Sequence, residues 1–331
     1  MPLTAIIADL EAQGLLPPAQ AQALTEHERN HPFSIHYELR ALLYFGITLL
    51  AGGLGVLVYQ NIEHIGHGVV VGFIALLVLG CFFYAARHRL PFTWSAAPRA
   101  GLLPDYALLL GCLLFLVLEG YLQYQYNLFG NRYGLVTVLP AALFLWLAYQ
   151  FDHRGVLSMG LTALGSWVGV NVAPLSAFGD ESFLRYGLGE AALALGMVLM
   201  AVGLLSEYRN LKRHFAFTYL LLGSNVALLA ATAILFGDEA AHLPAALMVP
   251  LIFILSGFLV WYARRTQSYL FLLMGIIYSY IVVTYLLIRL LSNSSGSGAL
   301  ELLLMVYFPL SAVGAVLLFV NIKKILRIHA D

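Results

Sequence analysis

Phe215-Ala-Phe-Thr-Tyr-Leu-Leu-Leu-Gly-Ser-Asn-Val-Ala-Leu-Leu-Ala-Ala-Thr-Ala-Ile-Leu-Phe236 runs without one charged residue, between Lys212-Arg213 on one side and Asp238-Glu239 on the other. As a helix such a run spans about 30 Å, the thickness of bilayer hydrocarbon, and this reading decides the fold class. Only helices and closed barrels satisfy their own backbone polar groups in lipid, and unbroken apolarity without period-two alternation selects the helix. Similar runs lie on both sides. Together they predict an all-α, polytopic transmembrane bundle of about ten spans, near 41–60, 67–86, 102–122, 134–150, 156–174, 188–206, 215–236, 244–262, 269–291 and 302–320. The fourth and fifth are the shortest, with only Phe151 to Gly155 between them.

Composition agrees. Of 331 residues 61% are hydrophobic and 10% charged, against roughly a quarter charged in soluble domains. The formal net charge is zero, which gives no reason to expect nucleic acid as a partner. Cys81 and Cys112 both lie inside apolar runs and read as small buried hydrophobes.

Basic residues stay on the cytoplasmic side of short loops. In a ten-span layout Arg29, Arg40, Arg87, Arg89, Arg99, Arg154, Arg209, Lys212, Arg213, Arg264, Arg265, Lys323, Lys324 and Arg327 share one side, and only Arg132, Arg185 and Arg289 take the other. Both termini are therefore expected in the cytoplasm. Acidic residues lean outward, leaving the outer side negative and the inner side positive.

Residues 1–36 carry Asp9, Glu11, Glu26, Glu28 and Arg29 and contain no apolar signal-peptide core. Leu3, Ile6, Ile7 and Leu10 have helical spacing, and Gly14, Pro17 and Pro18 break that helix before a second one. The segment reads as a cytosolic helical hairpin, too short for its own core, with residues 37–331 forming the membrane domain. A cytosolic protein partner at the hairpin is one expectation that follows.

The runs Gly14-Leu-Leu-Pro-Pro-Ala-Gln-Ala-Gln-Ala-Leu24, Leu43-Tyr-Phe-Gly-Ile-Thr-Leu-Leu-Ala-Gly-Gly-Leu-Gly-Val-Leu57 and Gln60-Asn-Ile-Glu-His-Ile65 resemble a family of bacterial predicted membrane proteins, catalogued as domain of unknown function 2157. Glu119-Gly-Tyr-Leu-Gln-Tyr-Gln-Tyr-Asn127 is similar to that family's Gln- and Tyr-containing segment after the third span. Ile62 stands where the family's turn into the second span carries tryptophan. The resemblance covers about the first half of the chain. It implies placement in the bacterial inner membrane and supplies no chemistry.

Ionisable groups inside spans are costly, and each is a functional candidate by default. Glu119, Glu190 and Arg289 are expected in the outer third of the bilayer, at the depth of Asn127 and Asn171, where they would line a polar recess. The competing reading has each reaching water on its own, with Glu190 simply an acid in a first helical turn. A second set, Asn225, Ser256, Ser279 and Tyr280, is expected near the midplane, where transporter sites lie and where small polar residues also glue helices together. Ala51 with Gly55, and Gly165 with Gly169, have the spacing of close helix contacts.

His64 and His67 near Glu63 fall short of the three or four convergent ligands that a metal wants, so neither metal nor cofactor is expected. No Gly-x-x-x-x-Gly-Lys occurs, and no convergent acid, base and nucleophile set is visible. The leading expectation is passage of a small solute or ion through the bundle. A membrane-embedded scaffold or sensor acting through the hairpin comes second, and an integral-membrane enzyme acting on lipid third.

Overall fold

A computed structural model describes residues 11–22 apart from 12, 15 and 19, then 36–95, 101–130, 132–172, 187–237, 244–294, 305–314 apart from 312, and residue 320. Among the described residues the long elements are nine helices: α1 (His36–Ile65), α2 (His67–Arg87), α3 (Leu102–Tyr126), α4 (Tyr133–Phe151), α5 (Arg154–Val172), α6 (Leu188–Arg209), α7 (Arg213–Phe236), α8 (Ala245–Thr266) and α9 (Tyr269–Ser294). No strand occurs among them.

Eight of these helices, α2 to α9, are long and apolar enough to cross a membrane. Among the described residues they account for the second to ninth of the ten expected spans. In α1 the apolar part is the shorter segment Ala41–Leu57. The expected tenth span lies partly outside the described residues. Its described part is helical over 305–311 and is tied to α9 by Tyr280 Oη with Ser311 Oγ at 3.0 Å and Thr284 Oγ1 with Tyr307 Oη at 2.8 Å. The boundary between the expected fourth and fifth spans falls at Asp152-His153.

The chain divides into two compact units, Met1–Val70 and Val71–Asp331. In the first, most of the expected hairpin lies outside the described residues. Those that are described hold a turn at Gly14 (φ +71), whose N–H donates to Glu11 O at 3.0 Å, and Pro17 O accepts from Ala21 N at 3.0 Å. Leu42, Phe45 and Leu49 of α1 are exposed, as side chains solvated by lipid tails should be.

In the second unit three antiparallel helix pairs, α4/α5, α6/α7 and α8/α9, fold back through very short turns. Each turn needs a residue in the left-handed region, supplied by Asp152 (φ 56), by Asn210 (φ 54) and Lys212 (φ 49), and by Gln267 (φ 54). Asn and Asp tolerate that region, and Lys212 and Gln267 adopt it without being among them. Within each pair a glycine lets the backbones close. A Cβ on Gly196 would lie 2.5 Å from Ala227 N, one on Gly223 2.8 Å from Met200 N, one on Gly160 3.0 Å from Leu145 N and one on Gly275 2.8 Å from Ser256 O. Close approach of this kind replaces the hydrophobic drive that lipid removes. It does not occur at the expected Gly165 and Gly169: a Cβ on Gly165 would touch only Leu195 Cδ2, at 4.0 Å, and one on Gly169 would meet nothing within 4 Å.

The core centres on α7. Leu220, Ala227, Leu228, Ala231 and Ile234 of α7 are fully or almost fully buried against Ile252 and Leu259 of α8 and Phe271 and Leu272 of α9. Phe271 meets Phe217 and Tyr262 edge to face, with centroids 5.3 and 5.1 Å apart. Leu76, Phe83, Trp146, Ile254 and other large apolar side chains face outward, the arrangement a lipid solvent permits.

Candidate functional site

Polar side chains of the bundle fall into three groups. The first binds the hairpin turns together at the end where the basic residues gather. Lys212 is 1% exposed, and its Nζ donates to Asp152 Oδ1 at 2.8 Å. His214 Nε2 meets the same oxygen at 2.5 Å, while its Nδ1 is buried without a hydrogen-bond partner. The backbone N–H of Lys212 donates to Trp94 O at 2.8 Å, and its ammonium lies 5.1 Å from the Phe92 ring centroid. One lysine thus joins the turn before α5, the turn before α7 and the segment preceding α3. Beside it, Tyr262 Oη of α8 donates to Glu207 Oε2 at 2.8 Å, with Arg265 Nη2 3.8 Å from Glu207 Oε1. His153 Nδ1 accepts from Val156 N at 3.1 Å and caps α5. Every charge in this group is paired or solvated, which marks it as structural.

Sequence reasoning placed Lys212 among the cytoplasmic basic residues and singled out none of this group as a site. The available signal was turn length: two or three residues between spans leave a side chain no room to escape the neighbouring helix ends.

The second group holds the expected outer recess. Leu108, Cys112, Phe115 and Glu119 recur on one face of α3, and Phe115 packs edge to face on Phe144 of α4 at 6.1 Å. Glu119 continues that buried face about 10 Å before the end of the helix. It is 5% exposed, its Oε1 has no hydrogen-bond partner, and no ion pair joins it to a described lysine or arginine. An acid so placed is costly unless it is protonated or meets a cation, and nothing in the fold demands one here.

The other members of the recess are held locally. Asn127, left-handed at φ 49, ends α3, and its Oδ1 accepts from Gln123 Nε2 at 3.0 Å. Gln123 also bonds Gly130 O and Phe129 N and so shapes the turn into α4. Asn171 Nδ2 donates to Trp167 O at 2.8 Å, with the amide lying against Gly134 of α4. Glu190 occupies the first turn of α6. The guanidinium of Arg289 lies over Tyr285 and donates to its hydroxyl at 3.3 Å. The structure thus puts Asn171 beside the start of α4 and Asn127 at the end of α3, each bonded elsewhere than to Glu119.

The third group is the midplane set, which separates into different environments. Ser256 is buried in α8 with an unpartnered Oγ, and its carbonyl lies under Gly275. Tyr280 pairs with Ser311, and Ser279 is half-buried on α9. Asn225 of α7 accepts from Tyr278 Oη of α9 at 3.3 Å and lines a groove of about 530 Å³ between those helices.

Eight long apolar helices, an outward-facing apolar surface and paired charges at the helix ends define a multi-pass integral membrane protein. Residues 8–157 match the family described as Predicted membrane protein (DUF2157). The match runs from the N-terminal segment into the start of α5, so it includes Glu119, Asn127 and Asp152 and stops before Asn225 and Lys212. Comparison with curated proteins and with solved structures brings no match.

Proposed function

We propose that the bundle passes a small cation, or a small solute coupled to a proton, across the bacterial inner membrane, with Glu119 as the ionisable group on the route and both termini in the cytoplasm. The observation that carries this reading is the buried, unpartnered Oε1 of Glu119 within an apolar helix. The same molecule shows what a structural charge looks like, because Asp152 meets both Lys212 and His214. Among the described residues Glu119 has no such partner, and a carboxyl kept unpaired in a span is free to take and release a proton or a cation. Glu190, Arg289, Asn127 and Asn171, expected at the outer boundary, would form its entrance.

The test is flux in proteoliposomes. Protein is reconstituted with a trapped pH indicator, and a potassium gradient with valinomycin drives protons, with sodium and potassium uptake measured in parallel. The wild type should dissipate the gradient faster than protein-free vesicles, and Glu119→Gln should return it to that background while eluting and unfolding like the wild type. Equal flux in both proteins would overturn the assignment of Glu119.

A second reading, a scaffold that recruits a cytosolic partner through residues 1–36, draws support from the charged, helix-forming sequence of that segment, which is too short for a core of its own. Removal of residues 1–36 should then abolish function in cells while leaving any proteoliposome flux intact.

A further inference from the structure

We propose that the groove between α7 and α9 is a binding site for a lipid-soluble small molecule with a ring carbonyl, of the quinone class, which enters from the bilayer and accepts a hydrogen bond from the Asn225 amide. Asn225 lies midway along α7, about 18 Å from either helix end and so near the centre of the bilayer. A primary amide offers two N–H donors and one acceptor oxygen. Tyr278 Oη takes one side of it at 3.3 Å, and among the described residues no other hydrogen bond involves it. Whichever way the amide is turned, one end is left unpaired.

The groove's other hydroxyl is already spent, since Thr232 Oγ1 donates to Leu228 O at 2.7 Å within α7. Asn225 is exposed, and the hydrocarbon centre holds no water to satisfy it. Acyl chains carry no acceptor, and phospholipid ester carbonyls sit at the interface, about 15 Å from this depth. The missing partner must therefore be a molecule whose polar atom resides among the lipid tails. Phe236, Met274 and Ile277 provide apolar walls for its body, and about 530 Å³ is the size of a small-ligand site. A flat, neutral ring with carbonyl oxygens on an apolar tail satisfies the donor, the walls and the route of entry together.

The full-length protein in lipid nanodiscs tests this with two probes of matched tail, decylubiquinone and decylbenzene, the second lacking any carbonyl. The readout is the probe-to-lipid ratio that half-saturates the rise in unfolding midpoint. Decylubiquinone should half-saturate the wild type at a roughly tenfold lower ratio than it does Asn225→Leu, the loss expected for one hydrogen bond in a dry site. Decylbenzene should not distinguish the two proteins. Without probe, Asn225→Leu should unfold no earlier than the wild type, because it removes a desolvated amide, and Tyr278→Phe should retain decylubiquinone binding because it leaves the Asn225 donors in place. Equal response of wild type and Asn225→Leu to decylubiquinone, or equal binding of both probes, would overturn the proposal in favour of a groove for acyl chains. A concentration-dependent dimer that Asn225→Leu dissociates would overturn it in favour of a second copy of this chain.

Discussion

The Lys212 ammonium sits 2.8 Å from Asp152 Oδ1 with its side chain only 2% exposed, joining two hairpin turns that lie 60 residues apart in the chain. Removing one member of a buried pair strands the other charge. Asp152→Asn keeps a residue that tolerates the left-handed turn, so it isolates the loss of charge from any backbone effect. It should destabilise the protein by about 3–5 kcal/mol, and Lys212→Met on top of it should recover part of that loss. Thermal unfolding of the two single variants and the double variant in one lipid checks this. Additive losses would show that the contact contributes nothing.

Glu119 should behave in the opposite way. Its carboxyl is buried without a partner at Oε1, so Glu119→Leu relieves a desolvation cost and should raise stability by about 1–3 kcal/mol. A gain in stability combined with the loss of flux is the signature of a group kept for function. A loss of stability in Glu119→Leu would instead show that the acid holds the fold together.

Gly196 and Gly223 are predicted to tolerate no side chain. An added Cβ would stand 2.5 Å from Ala227 N in the first case and 2.9 Å from Gly196 O in the second, and backbone cannot move aside as a side-chain tip can. Gly223→Ala should cost about 3 kcal/mol, at the upper end of ordinary overpacking. Gly169→Ala is the control: a Cβ there meets nothing within 4 Å, and alanine's higher helix propensity should leave it neutral or slightly stabilising. Unfolding midpoints in one detergent measure both.

Orientation is open to a direct test at the turns. With Cys81 and Cys112 replaced, a single cysteine at Gln267, in the turn beside Arg264 and Arg265, should resist an impermeant thiol reagent in intact cells and react after lysis. One at Leu128, in the turn between α3 and α4, should react in both. The reverse pattern would invert the bundle and move the Glu119 recess to the cytoplasmic side.

Membership of the membrane class, the helices α2 to α9 and their boundaries to within a few residues were legible along the chain, because the cost of placing charge or free backbone in hydrocarbon is so large that each crossing is written locally as an apolar run. The positions of Glu119 and Asn225 along their helices follow from the same arithmetic of rise per residue. Which groups meet was not legible. Gly196 and Gly223, rather than Gly165 and Gly169, bring helices into backbone contact; and among the described residues Lys212 is the most buried charge although it stands in a turn, and Asn225 finds Tyr278 while the Ser256 Oγ finds no partner. Those outcomes depend on the rotation of one helix against another, which lipid, equally apolar on every side, leaves to side-chain shape and pairing. Only the assembled bundle determines that rotation, and with it which polar group is locked into the structure and which is left with an unused bond.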